Sequence, residues 1–183
     1  MTLPAIDQQP VVLIGMPGSG KSTVGRLLAA RLGRPFCDLD ELIEAGARSS
    51  VSEIFAAEAE SGFRRREATA LRAALGEQRA VIAAGGGAPA FGDNLDRMLA
   101  AATVVELRTD LEVLVERLER TGGGAARPLF VGGVRSTLVR LLPERSQAYA
   151  RAHLHVDGNG PPSQVVASIL AALSSALPSE SGA

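Results

Sequence analysis

The chain has 183 residues, a formal net charge of −1 and 46% hydrophobic residues, which suits one domain with its own core and excludes a global field that would gather nucleic acid or anionic lipid. Only 3% of the residues are aromatic and Trp is absent, which leaves little for base-stacking platforms, and the single cysteine, Cys37, excludes a disulfide framework or a cysteine-rich metal site. Residues 1–10 lack the basic and apolar regions of a signal peptide and no apolar run is long enough to span a bilayer, so a cytoplasmic protein with no nucleic-acid or membrane partner is expected.

Apolar runs alternate with helical patterns along the chain, which predicts an α/β fold on a parallel sheet. Val11–Gly15 reads as a buried first strand. Lys21–Leu32 reads as the first helix, with Val24, Leu27, Leu28 and Leu32 at helical spacing. Between them Gly15, Gly20, Lys21 and Ser22 fit G-x-x-x-x-G-K-[ST], the phosphate-binding loop. Gly15, Gly18 and Gly20 permit positive φ, successive backbone N–H groups can then cradle phosphate oxygens, and the helix start adds its positive dipole end. Lys21 is expected to reach the β/γ-phosphates and the Ser22 hydroxyl to ligate Mg²⁺. The chain has 18 arginines and one lysine, and that lysine is Lys21. A compact ammonium fits a phosphate cradle better than a forked guanidinium does.

Pro35–Leu39 is a second short strand leading to Asp38 and Asp40, and helical segments follow at Glu41–Ala47, Val51–Glu60 and Gly62–Leu75. Ala80–Ala84 is a third strand that runs into Gly85, Gly86 and Gly87; Ala90–Ala101 is helical; Thr103–Leu107 is a fourth strand. Asp110 is expected to cap a helix whose Leu111, Leu114, Val115 and Leu118 form one face. A glycine-rich loop carrying Arg127 spans Arg120–Gly133, then Val134–Tyr149 is helical with a break or restart near Pro143. His153–Val156 is the fifth strand and Ser163–Leu173 the closing helix, with a frayed tail over 177–183.

In open sheets of this kind ligands bind beyond the carboxyl ends of the strands, so the phosphate loop, the Asp38–Asp40 pair and the triple glycine are expected to meet in one crevice. If the second strand persists to Asp40, both carboxylates point to one side. One would hold Mg²⁺ through water and the other would take the acceptor hydroxyl's hydrogen bond or proton; Asp40 could instead simply cap the helix that follows. Arg64, Arg65 and Arg66 diverge at helical pitch, and only Arg64 falls on the apolar arc with Phe63, Glu67, Leu71 and Leu75. A buried arginine requires a partner, either Glu67 or a ligand carboxylate held bidentately. Arg145 shares an apolar stripe with Leu138, Leu141 and Tyr149, so Arg64 and Arg145 are expected to form a clamp for a small anionic substrate. Arg127 on a hinge-like loop fits a lid over the phosphates, or an exposed side chain on a loose loop. Three successive glycines after a strand suggest a ligand approaching the backbone closely. His153 and His155, without nearby ligand-type partners in sequence, read as structural, as does Cys37.

Taken together, GMPGSGKST, the DLD at 38–40, GFRRRE at 62–67, the GGG at 85–87, RPL at 127–129 and ERSQAY at 144–149 resemble the shikimate kinases, in order and spacing, from about Val11 to Leu173. The resemblance implies a three-layer P-loop kinase fold: a five-stranded parallel sheet flanked by helices, with a mobile lid. It implies transfer of the ATP γ-phosphoryl to the 3-hydroxyl of shikimate with Mg²⁺. Residue by residue, it implies that Gly18, Ser19, Gly20, Lys21, Ser22 and Thr23 bind ATP and that Ser22 and Asp38 serve the metal. Asp40 would meet the shikimate hydroxyls, Arg64 and Arg145 the carboxylate, Gly86 the substrate through its backbone, and Arg127 the phosphates. Lys21, Asp40 and Arg127 are the expected catalytic groups. A single kinase domain over 1–183 is expected, with its core at about 11–173, a lid at about 120–134, flexible ends at 1–9 and 177–183, and a monomeric state. The chain departs from the family pattern after the last strand, where DGNGPP replaces an Arg or Gln that contacts the nucleotide. The competing readings are a kinase of another hydroxy acid such as gluconate, and a nucleotide-gated switch, the latter disfavoured because no second lysine exists to build a guanine-reading N-K-x-D segment.

Overall fold

The computed structural model describes residues 8–121, 130 and 132–176. Arg127 and most of the expected lid, residues 1–7 of the loose end expected at 1–9, and all of the one expected at 177–183 lie outside the described residues. The strands β1 (Val11–Ile14), β2 (Phe36–Asp38), β3 (Val81–Ala83), β4 (Thr103–Arg108) and β5 (Leu154–Asp157) form one parallel sheet in the order β2-β3-β1-β4-β5.

The central strand shows why the sheet is parallel and covered. All four residues of β1 are 0% exposed, because both of its faces carry apolar side chains. Val12 and Ile14 enter one core and Val11 and Leu13 the other, as the two-residue period of a strand dictates. On the second face pack α1 (Lys21–Leu32) and α7 (Pro162–Ser175), through Val24, Leu28, Val165 and Ile169. On the first pack α3 (Val51–Gly76), α4 (Asn94–Ala101), α5 (Leu111–Arg120) and α6 (Val134–Tyr149), through Leu71, Met98, Leu114 and Leu138. The result is the three-layer α/β architecture expected from the alternation of strands and helices. A satellite cluster of Ile43, Ile54 and Phe63 ties α2 (Leu39–Ala47) to α3. Among the described residues no helix is long and apolar enough to cross a membrane.

The two helices expected at 51–60 and 62–75 are present: α3 leaves helical geometry at Ala59 (φ 56°, ψ −176°), where two helical segments meet at a kink. Other elements differ from the sequence expectation. The single helix expected at Ala90–Ala101 is a 3₁₀ turn, Ala88–Ala90, followed by α4. No break occurs at Pro143: α6 runs unbroken from Val134 to Tyr149. Pro143 is exposed, so the carbonyl its ring leaves unpaired one turn back belongs to the outer face, near Val139 at 52% exposure, where water can satisfy it. Asp110 occupies the N-cap position of α5 but makes no capping bond from its side chain, which instead accepts from Asn159 Nδ2 at 3.2 Å.

Gly25 decides how closely α1 approaches the sheet. A Cβ there would stand 2.5 Å from Phe36 Cε2 of β2. Gly25→Val is therefore expected to destabilise the fold by about 1–3 kcal/mol through overpacking, read as a lower denaturant midpoint with an unchanged m-value.

Candidate active site

The phosphate loop follows β1 directly. Gly15, Gly18 and Gly20 adopt φ of +146°, +83° and +93°, values that require glycine. Gly20 hands the chain to α1, whose first turn leaves its N–H groups facing the loop's hollow. Lys21 Nζ donates to the Gly15 carbonyl at 2.9 Å, to the Met16 carbonyl at 3.0 Å and to Ser19 Oγ at 3.4 Å, so its charge sits across the mouth of the loop. A cleft of about 680 Å³ is lined by Gly18 through Thr23, and runs from Asp40 and Gly85 at one end to Arg117, Thr121 and Pro162 at the other.

The carboxylates beside it divide their work by position. β2 ends at Asp38, and Leu39 already belongs to α2, so the strand does not persist to Asp40. Asp38, not Asp40, is the cap: its Oδ1 accepts the Asp40 N–H at 3.0 Å, one of the open donors of the first turn. Its Oδ2 accepts from Ser22 Oγ at 2.5 Å. A hydroxyl and a carboxylate in contact beside a phosphate cradle are a hard-oxygen pair that suits Mg²⁺. Asp40, in the first turn of α2, lines both the main cleft and a smaller adjoining pocket.

That smaller pocket is ionic. Arg64 is 9% exposed, and its Nη1 donates to Glu67 Oε2 at 2.7 Å and its Nη2 to Glu60 Oε1 at 3.1 Å. Burial alone would lower the Arg64 pKa, but the facing carboxylates hold it above its ordinary value. Glu67 is 0% exposed, and burial pushes its carboxyl above the ordinary 4.5 against the pull of Arg64. Arg145, from α6, is 5% exposed. Among the described residues its buried Nη1 and Glu67 Oε1 have no hydrogen-bond partner, an uncommon and costly state for charged groups. Tyr149 donates to the Gly86 carbonyl at 2.5 Å, and burial pushes its phenol up to about 12, so the donor keeps its proton. The triple glycine fits between these groups. A Cβ on Gly85 would overlap the Glu67 carboxylate, one on Gly87 would overlap the Arg64 guanidinium, and one on Gly86 would stand 2.9 Å from Arg145 Nη1.

Comparison with known proteins decides the family. The shikimate kinase family model matches residues 17–174. The chain is 44% identical over 170 residues to the shikimate kinase of Gloeobacter violaceus, covering 92% of this chain and 94% of that one. It is 50% identical over 123 residues to the shikimate kinase of Symbiobacterium thermophilum, covering 67% and 70%. The chain belongs to the shikimate kinase family. Among solved structures, the shikimate kinase from Acinetobacter baumannii in complex with shikimate superposes with a TM-score of 0.85 at 34% identity, covering 91% of this chain and 93% of that one. A gluconokinase from Sinorhizobium meliloti gives a TM-score of 0.62 at 21% identity, a likeness of fold alone.

In this shikimate kinase family member the structure brings Lys21, Ser22, Asp38, Asp40, Arg64, Gly86 and Arg145 to the carboxyl ends of β1, β2 and β3 and the adjoining faces of α3 and α6. Helix phase places the arginine triplet as expected: Arg64 is buried while Arg65 and Arg66 are exposed, Arg66 pairing with Glu58 at 2.6 Å. The close approach that the triple glycine accommodates is that of the protein's own Glu67, Arg145 and Arg64, as well as the wall it gives the pocket. His153 is structural, its Nδ1 accepting the Val104 N–H at 3.1 Å. His155 does have a partner, Glu106 Oε2 at 2.6 Å, supplied by the neighbouring strand. Sequence reasoning passed over Glu67 as a pocket group in its own right, Tyr149 as the clamp on Gly86, and Arg117. The i, i+3 spacing from Arg64 was the available signal for Glu67.

Glu67 links the pocket to pH. A carboxyl whose pKa is raised on folding binds more protons folded than unfolded, so it weakens the fold as pH climbs from its ordinary 4.5 through the raised value. Relative to Glu67→Gln, the native chain is expected to lose stability over that climb, read from denaturant midpoints taken between acid and neutral pH. Parallel curves for the two proteins would contradict the burial effect.

Proposed function

We propose that the chain transfers the γ-phosphoryl group of ATP to the 3-hydroxyl of shikimate, giving shikimate 3-phosphate and ADP, as a single kinase domain over 1–183 working as a monomer in the cytoplasm. The observation that carries the acceptor is the ionic pocket. It offers a buried Arg145 Nη1 beside Arg64 for a carboxylate and a Glu67 Oε1 near Asp40 for hydroxyls, neither of which has a hydrogen-bond partner among the described residues. Shikimate carries one carboxylate and three hydroxyls, and relatives 42–50% identical to this chain carry the name shikimate kinase.

The two sites adjoin, since Pro17, Asp40, Gly85 and Gly86 line both. ATP lies with its phosphates in the loop from Gly18 to Thr23, where backbone N–H groups and Lys21 take the charge of the β- and γ-phosphates. Lys21 exchanges its carbonyl acceptors for phosphate oxygens, which strengthens as negative charge shifts toward the leaving oxygen. Ser22 and Asp38 hold Mg²⁺, which when bound neutralises phosphate charge. Arg64 and Arg145 seat the acid, and the Gly86 backbone, fixed by Tyr149, gives its floor. Asp40 accepts the hydrogen bond and then the proton of the reacting hydroxyl, whose oxygen bonds to the γ-phosphorus as the bridge to the β-phosphate breaks and ADP leaves. Arg127, which lies outside the described residues, is assigned to the phosphates on the family resemblance alone.

A coupled ADP-release assay over shikimate, gluconate and related polyols tests the acceptor: robust turnover of shikimate is expected, and turnover of gluconate instead would overturn the reading. In the same assay Lys21→Ala is expected to cut kcat by roughly 10²-fold or more. Arg145→Ala is expected to raise the KM for shikimate by roughly 10- to 100-fold, as a charge-assisted bond is lost, and to leave ATP affinity nearly unchanged. Arg64→Ala should act in the same direction with an added cost in stability, because it leaves Glu67 buried without its cation.

A further inference from the structure

The far end of the main cleft holds an arginine that neither the motif nor the acid pocket uses. Arg117 is half-buried on α5 and gives its guanidinium wholly to backbone carbonyls. Nη1 donates to Gly158 at 2.9 Å and, more distantly, to Ser19 at 3.4 Å; Nη2 donates to Asn159 at 2.8 Å and to Gly160 at 3.2 Å. One side chain thus gathers three consecutive carbonyls of the turn after β5 and ties them to the phosphate loop.

The same turn is gripped a second time from the same helix face. Asp110, seven residues before Arg117, accepts from Asn159 Nδ2 at 3.2 Å and offers its own N–H to Asn159 Oδ1 at 2.9 Å. Asn159 N–H bonds to Asp157 Oδ1 at 2.9 Å, and Gly158 N–H to the Arg108 carbonyl at 2.6 Å. A Cβ on Gly158 would overlap Thr109 Oγ1, so the turn lies flat against the strand end and has no side chain of its own to reshape it there.

The direction of the cleft gives this turn its task. On the reading of the cleft as the ATP site, the γ-phosphate points to the acid pocket at Asp40 and Gly85, so the base and ribose extend the other way, toward Arg117, Thr121 and Gly158–Pro162. We infer that Arg117 is a positioning residue for the nucleoside half of ATP. It fixes the backbone of residues 158–160 as one wall of the base site, in a chain whose DGNGPP turn supplies no long side chain to do so. Its charge is spent on carbonyls rather than on phosphate.

The test separates the two halves of the nucleotide by titrating Arg117→Ala with ATP and with inorganic tripolyphosphate, each with Mg²⁺ and without any acceptor, by calorimetry. ATP affinity is expected to fall about tenfold, the scale of losing a charge-assisted anchor, while tripolyphosphate affinity holds. In turnover the loss should fall on the KM for ATP rather than on kcat or the KM for shikimate. An equal loss for both ligands would place Arg117 in phosphate binding, and unchanged ATP affinity would place it in neither; either result overturns the inference. Arg117→Lys, which keeps the charge but not the fork, serves if the alanine variant fails to fold, and should lose ATP affinity selectively as well. Because binding is read without acceptor, a protein that ignores shikimate but shows the selective loss would sink the acceptor assignment and leave Arg117 in place.

Discussion

Buried charge in the acid pocket constrains everything around it. Glu67 lies at 0% exposure between Arg64 and the glycine triple, and Arg145 at 5% on the far side. Charges so deep are tolerable only with partners of opposite sign, and here two guanidiniums face the carboxylates of Glu67, Asp40 and, from one turn away, the more exposed Glu60. Arg145 Nη1, without a hydrogen-bond partner among the described residues, leaves the cluster incomplete, and the proposed substrate carboxylate would complete it. Folding thus stores a polar deficit that binding can relieve. The backbone was shaped to fit it, since each glycine from 85 to 87 is faced by a different ionic side chain where a Cβ would stand.

The parallel sheet is what brings this cluster to the phosphate loop. β1 lies between β3 and β4, so the loop after β1 and the glycines after β3 leave adjacent strands side by side. β2, paired to β3, delivers Asp38 one strand further out. Its carboxylate then serves two elements: it caps α2 through the Asp40 N–H and accepts Ser22 from α1. The capping role that the sequence offered to Asp40 falls instead to one oxygen of Asp38, while its other oxygen takes the Ser22 hydroxyl. Asp40 is freed from capping and is carried by the first helical turn to the boundary of the two pockets.

What was legible in the sequence follows from the range of the forces involved. The phosphate loop is local: its glycines, its lysine and its helix start lie within a dozen residues, and their positive φ values are dictated by the turn itself. The inward arginines were legible because helix phase sorts Arg64 from its neighbours without knowledge of any tertiary partner. The strands declared themselves with errors of a residue or so at their ends, the central β1 and β3 by being apolar on both faces. The failures are tertiary. Pro143 breaks a helix in isolation, but α6 packs through Leu138, Leu141 and Tyr149 on its other side and turns the proline outward. Asp110 has a cap residue's place and spends its carboxylate on Asn159, 49 residues away. Arg117 reads as one more charged residue on an amphipathic helix, because its acceptors are backbone carbonyls 41 to 43 positions distant and carry no sequence signal.

The lone lysine can now be given a geometric reason beyond composition. Gly15 O, Met16 O and Ser19 Oγ converge on one atom, Lys21 Nζ, at 2.9, 3.0 and 3.4 Å. An ammonium presents three donors from a single point and suits acceptors arranged around a point. A guanidinium spreads its donors over a plane, the geometry Arg117 uses against the row of carbonyls at 158–160. The two cations at opposite parts of one cleft therefore differ because their acceptor sets differ in shape, one a focus and the other a line. A chain that uses arginine at 18 positions and lysine at one has kept the lysine where acceptors meet at a point.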